Sequence, residues 1–303
     1  MKRTLLLLLG AALLAGFARA SAAPQPAEPE ELTLPAIPGH LRQPAERASY
    51  LVRHFWENLD FGDTARSHDM LFLEQNFANF ISVFPYAGEA ACSEAVETLL
   101  RRAEADSTAY GLVADIAERY LYSDDSPLRS EDYYILFLEH LSEAPLLGEY
   151  GTIRYRYQLE AARKNRPGSV AADFGYTTPD GQQTSLHATP ADDRLLLIFY
   201  DPDCAHCKEV MDGLQADPEL SRAVAAGRLQ VLAVYSGDRP LLWRRSTELL
   251  PADWILGYNA GDIYDDERYA LHRMPTLYLL DRDCRVLLKD PNPEDLIGWL
   301  QEQ

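Results

Sequence analysis

The chain has 303 residues, 47% of them hydrophobic and 25% charged, with 17 Gly, 19 Pro and four Cys. That composition excludes a disordered chain and a disulfide scaffold, and the length suits two domains. Its 28 Lys and Arg against 47 Asp and Glu leave a net charge of −19, which argues against nucleic acid or an anionic membrane as a partner.

Lys2 and Arg3 precede an apolar run from Thr4 to Phe17, and Ala18-Arg19-Ala20 has the small-x-small form of a cleavage site, with Ala20-Ser21-Ala22 as a second such site. Residues 1–22 are therefore expected to be a cleavable signal peptide. The run is shorter than the roughly 20 apolar residues a spanning helix needs. No cysteine lies near the cut to be lipidated. Export to the periplasm, or to another oxidising space, lets cysteines persist as disulfides. Residues 23–42 hold five prolines between Pro24 and Pro38 and several Glu, the composition of a flexible leader.

Residues 43–165 carry helical periodicity. Ala48, Leu51, Val52, Phe55, Trp56 and Leu59 make one stripe; Met70, Leu73, Phe77, Phe80, Ile81 and Phe84 make a second, ended by Pro85. Cys92, Val96, Leu99, Leu100 and Ala103 form a third, and Val113, Ile116, Ala117 and Tyr120 a fourth. Ile135, Leu138 and Leu141 give a fifth; Tyr150, Ile153, Tyr157 and Ala161 give a sixth. Such amphipathic helices bury a core of their own, so an all-helical domain is expected.

Residues 170–303 change to strands alternating with helices. Asp173–Leu186 reads as a hairpin around Pro179-Asp180-Gly181. Leu195–Tyr200 and Leu229–Tyr235 are continuous apolar runs, as in strands buried on both faces. Helices are expected over Ala205–Gln215, Glu219–Ala226, Leu241–Leu250 and Pro293–Gln301, and a hairpin joins Thr276–Leu280 to Arg285–Leu288. The fold class is a mixed central sheet flanked by helices, an α/β domain following an all-α one.

Asp201-Pro202-Asp203-Cys204-Ala205-His206-Cys207 runs from a buried strand into the first turn of a helix. Unpaired N–H groups and the helix dipole favour thiolate at Cys204; such sites lower a thiol pKa from about 8.5 to between about 3.5 and 7.5. Two intervening residues bring Cys207 within bonding reach. Cys204 is then expected to attack a disulfide and Cys207 to resolve the mixed disulfide, with protonated His206 stabilising the thiolate. Structural zinc needs four ligands, and one CxxC supplies two. Covalent haem attachment needs His where Lys208 stands, and no Thr precedes Cys204 in a peroxidase pattern. No metal or cofactor beyond the cysteine pair is expected. His54, His68, His140 and His272 have no metal-ligand spacing.

Met274-Pro275-Thr276 opens the apolar run Leu277–Leu280; proline belongs at a strand's start, where a cis bond is allowed. With this pair of motifs, residues 170–303 resemble the thioredoxin-like family, in its exported TlpA-type branch. The resemblance implies a thiol-disulfide oxidoreductase with Cys204 as nucleophile, Cys207 as resolver, Pro275 as the cis-proline facing them, and Met274 beside the substrate backbone. Ala205, His206, Thr276 and Glu209 would then tune the pair or contact substrate. Tyr150–Glu160 and Ala171–Phe174 are similar to an exported two-domain group of Bacteroidetes-like bacteria, in which a helical domain of unknown function precedes the thioredoxin-like one. The implied partners are thiols and disulfides of other exported proteins, a redox partner the sequence does not name, and a docking partner for the helical domain.

Two features depart from that family. Asp203 stands where many members have Trp. Ile198 stands where many have a buried acid or Asn that transfers protons; Glu209 could serve instead, although a solvated helix face is the commoner place for a Glu. An alternative therefore stays open: a non-catalytic partner-binding protein whose CxxC is structural or vestigial. Cys92 is expected to be a buried small hydrophobe and Cys284 an exposed turn residue, with no bridge between them.

Overall fold

The computed structural model describes residues 31–302 apart from 124, 260–262, 264–266 and 272. The expected signal peptide, the first part of the leader and His272 lie outside the described residues. Carboxylates and hydroxyls open the N-terminal helices: Asp63 caps α2 (Thr64–Ser67), Asp69 caps α3 (Met70–Ser82), Asp106 caps α5 (Ser107–Leu121) and Ser130 caps α6 (Glu131–Leu141). Each side-chain oxygen accepts an N–H that the first helical turn leaves unpaired. With α1 (Pro44–His54), α4 (Glu89–Ala103) and α7 (Gly148–Arg163), they enclose one core. Phe55, Phe77, Phe80, Phe84 and Phe137 pack ring on ring at its centre.

Three expectations for this half need correction. Helix α1 stops at His54, five residues before the end of its apolar stripe, and Phe55, Trp56 and Leu59 enter the core from turns instead. The end of the expected leader is docked: Leu32 is buried, its N–H donates to Asn76 Oδ1 at 2.8 Å, and Asn58 Nδ2 donates to Thr33 O at 2.6 Å. Of the sixth stripe only Ala161 faces the core. Tyr150, Ile153 and Tyr157 are exposed, whereas Tyr155, Gln158, Leu159 and Ala162 are buried. Gln158 is held there by Tyr134, whose hydroxyl donates to its Oε1 at 2.8 Å, and by donating to Glu118 Oε1 at 2.8 Å, so a polar residue marks the inner face.

The second half is a seven-stranded sheet in the order β2-β1-β5-β4-β3-β6-β7, built from β1 (Gly175–Thr177), β2 (Gln183–Ser185), β3 (Arg194–Tyr200), β4 (Leu229–Tyr235), β5 (Ile255–Tyr258), β6 (Thr276–Asp281) and β7 (Val286–Lys289). Strand β3 runs parallel to β4 and antiparallel to β6. Its residues alternate between two cores. Leu196, Ile198 and Tyr200 meet Met211, Leu214 and Leu296 of α8 (Ala205–Ala216) and α11 (Pro293–Gln301), while Leu195, Leu197 and Phe199 meet Phe174, Tyr269 and Tyr278. Helices α9 (Pro218–Ala225) and α10 (Pro240–Ser246) complete the layers. Strand β5 was not anticipated. It has four residues, and its Gly257 lies where a Cβ would come within 2.9 Å of the Tyr176 ring, so the apolar pattern is broken by a close approach.

The two halves meet through charge. Lys289, 6% exposed, donates from Nζ to Ala161 O at 3.3 Å and Ala162 O at 3.0 Å, and pairs with Glu131 at 2.9 Å. Burial pushes the Glu131 carboxyl up and the Lys289 ammonium down, and their mutual attraction opposes both shifts. Arg129 donates to Asp290 Oδ2 at 2.7 Å.

Candidate active site

Strand β3 ends at Tyr200, and the chain turns within four residues into α8. Asp201 organises the turn: its carbonyl accepts from Cys204 N at 3.1 Å and its Oδ1 from Asp203 N at 2.8 Å. Cys204 is thereby set as the N-cap of α8, and its Sγ accepts from Cys207 N at 3.3 Å. The sulfur thus takes the place of the capping oxygen, at the helix end where the dipole favours negative charge. One turn on, Cys207 is buried and its Sγ accepts from Asp201 N at 3.5 Å. Burial pushes its thiol up to about 12, partly offset by that N–H. Both thiols are free.

The loop opposite comes from the start of β6. The Met274–Pro275 peptide is cis. Thr276 Oγ1 donates to Arg273 O at 2.5 Å, and the Met274 carbonyl is 3.8 Å from Cys204 Sγ. Cys204, Cys207, Met274, Pro275 and Thr276 are therefore gathered at one end of the sheet. A half-buried Cys204 and a buried Cys207 divide access between the two sulfurs.

Other residues singled out in the sequence sit at the rim. Ala205 and His206 are exposed on the first turn of α8. His206 Nδ1 is 3.9 Å from Glu209 Oε2, and Glu209 is on the solvent face, pointing away from the interior where Cys207 lies. Ile198 is fully buried, so no acid stands in the usual proton-transfer position on β3.

Sequence reasoning missed Arg239, which caps off the acidity that Asp201 and Asp203 bring to Cys204. Its guanidinium bonds Asp203 and stands 3.6 Å from Asp201 Oδ1. Asp203, and after it the neighbouring Tyr235 hydroxyl, hold the guanidinium pKa above its usual value. The pairing joins positions 36 residues apart, and only the parallel pairing of β3 with β4 brings them together.

Cys284 is half-buried rather than exposed. It adopts a left-handed φ of 58° in the β6–β7 turn, and its carbonyl accepts from Ala171 N at 2.8 Å, so the chain entering the second domain covers it. Cys92 is buried in the helical core. Neither is near the dithiol turn in the contacts of the described residues.

Residues 17–165 match the family described as Domain of unknown function (DUF5106). A thioredoxin-like protein from Bacteroides caccae is similar at 35% identity over 89% of this chain and 98% of its own, with a TM-score of 0.81. The C-terminal domain of an uncharacterized protein from Bacteroides fragilis is 34% identical over 45% of this chain and 98% of its own, with a TM-score of 0.44. A thiol-disulfide oxidoreductase from Bacteroides fragilis is 20% identical over 44% of this chain and 98% of its own, with a TM-score of 0.39. No curated protein matches the chain. With a third of its residues shared across nearly the whole length of the Bacteroides caccae protein, the chain belongs to the thioredoxin-like family, its DUF5106 helical domain preceding a thioredoxin-like domain.

Proposed function

We propose that the protein is an exported thiol-disulfide oxidoreductase that exchanges disulfides with cysteines of other exported proteins. One observation carries this reading: Cys204 Sγ caps α8 while lying 3.8 Å from the Met274 carbonyl, with Cys207 buried one turn behind it. A static staple would need neither the helix end nor the facing loop. The apolar start after Lys2 and Arg3 supports export, and an oxidising space is where such clients occur.

In the reducing direction, the Cys204 thiolate attacks one sulfur of a client disulfide. A Cys204–client S–S bond forms, the client S–S bond breaks, and the second client sulfur departs as thiolate. That thiolate takes the Cys207 proton; burial keeps the proton on Cys207 until then. The Cys207 thiolate attacks Cys204 Sγ, closes the Cys204–Cys207 bond and releases the first client sulfur. Two electrons pass from the dithiol to the client. The oxidising direction runs the same steps in reverse.

The test is a pair of variants assayed with insulin as the disulfide client. C207S should accumulate a mixed disulfide with insulin, and C204S should form none and reduce none. Undiminished insulin reduction by a folded C204S protein would overturn the assignment in favour of a non-catalytic binding role.

A further inference from the structure

A groove of about 640 Å³ runs alongside the dithiol turn, within the size range of built ligand sites. His206 and Val210 of α8 form one wall, and Met274, Pro275 and Leu277 form the floor. On the remaining side Asp125 and Arg129 of the helical domain, in the connection between α5 and α6, stand with Asp290 and Pro293 of the second domain. The thioredoxin-like domain therefore supplies only part of the enclosure around its own reactive sulfur.

Arg129 also reaches the floor through a shared carboxylate. It donates to Asp290 Oδ2 at 2.7 Å and is 3.4 Å from Asp290 O, and Arg273 bonds the same Oδ2. Asp290 is itself fixed, donating its N–H to Leu277 O at 2.7 Å. Arg273 immediately precedes Met274, whose carbonyl meets Cys204. A continuous series of contacts thus runs from the helical domain to the reactive sulfur: Arg129, Asp290, Arg273, Met274, Cys204.

We propose that the helical domain completes the client site, with Arg129 as a positioning residue for the Arg273–Pro275 loop and the groove as the seat of the extended peptide that flanks a client's cysteine. The inference rests on the disulfide-exchange reading above. The occupant follows from place and shape. The groove shares Met274 with the 3.8 Å contact to Cys204 Sγ and is bounded by His206, two residues past that cysteine, so a chain whose disulfide is under attack at Cys204 runs on into it. Its floor is apolar and its rim charged, which suits a polypeptide. A small disulfide would touch Cys204 without filling it.

The test compares the pre-reduced full chain in single turnover against two probes, insulin and 2-hydroxyethyl disulfide. R129A should raise the half-saturating insulin concentration about tenfold, the scale of modest misplacement of a reacting group, with the rate on 2-hydroxyethyl disulfide within about twofold. R129K, which keeps a donor for Asp290, should recover part of the insulin effect. D125W, an exposed substitution that fills the groove from the helical wall, should impair insulin reduction and spare the small disulfide, independently of the Asp290 bridge. Unchanged insulin saturation in R129A and D125W would overturn the proposal while leaving the exchange chemistry standing. Equal slowing on both probes would place Arg129's effect on the dithiol itself and would also overturn it. If the wild-type chain reduced neither probe, the underlying reading would fail first.

Discussion

Arg239 closes on Asp203, the residue immediately before Cys204. Two carboxylates beside the Cys204 sulfur would oppose the helix dipole there. The guanidinium, also 3.6 Å from Asp201, offsets them. The acidic approach to the site is thus compatible with a nucleophilic thiol, and the balance depends on one side chain from a different loop.

Removing that side chain should expose the opposition. R239Q is expected to slow alkylation of Cys204 by iodoacetamide at pH 7 a few-fold, with no loss of folding, because Arg239 lies at the exposed rim. High salt should weaken the same difference, since exposed charges are screened. An alkylation rate equal to wild type at low salt would show that Asp201 and Asp203 do not act on the sulfur.

Burial of Cys207 gives a pH dependence with a definite sign. Its thiol is raised from an ordinary value of 9.0 to about 12, so the folded chain holds that proton more tightly than the unfolded one. The associated stability is fully present below pH 9 and is lost as pH rises toward about 12. In C204S, Cys207 should be alkylated at pH 8 at least about a hundredfold more slowly in the native chain than in the unfolded one. Mass spectrometry of the modified chain, native and then unfolded, measures this directly. Comparable native and unfolded rates would contradict the burial.

Helix α7 offers a test of which face holds the domain together. Tyr155 is 1% exposed and packs in the helical core, whereas Tyr150 is 90% and Ile153 52% exposed. Y155A should cost about 3–5 kcal/mol, as truncation of a large buried aromatic does, and Y150S or I153S should change stability by no more than about 0.5 kcal/mol. Thermal or urea unfolding compares them. A large loss from Y150S would restore the sequence-derived stripe.

How much was legible in the sequence follows from the kind of signal each element carries. The apolar runs at Leu195–Tyr200 and Leu229–Tyr235 announce strands buried on both faces, and those are the parallel strands β3 and β4. The dithiol turn and Pro275 were readable because their residue types are tied to local backbone geometry. Helix α7 was misread because tyrosines occur on both its faces, and the inner one, Tyr155, sits between Arg154 and Arg156, while Gln158 enters the core through bonds to Tyr134 and Glu118. Strand β5 is too short, and too interrupted by Gly257, to give a period. Arg239 and Arg129 were invisible for a different reason: each acts on a carboxylate far away in sequence, 36 residues distant for Asp203 and 161 for Asp290.

Lys289 has a mechanical consequence. Its ammonium belongs to the second domain yet closes the carbonyl end of the last helix of the first, only a few residues before the connection at Lys164–Ser169. The junction is thereby clamped from the side, leaving little slack for one half to swing against the other. In solution the described portion should tumble as a single rotor, and limited digestion should spare the 164–169 connection until the whole chain opens.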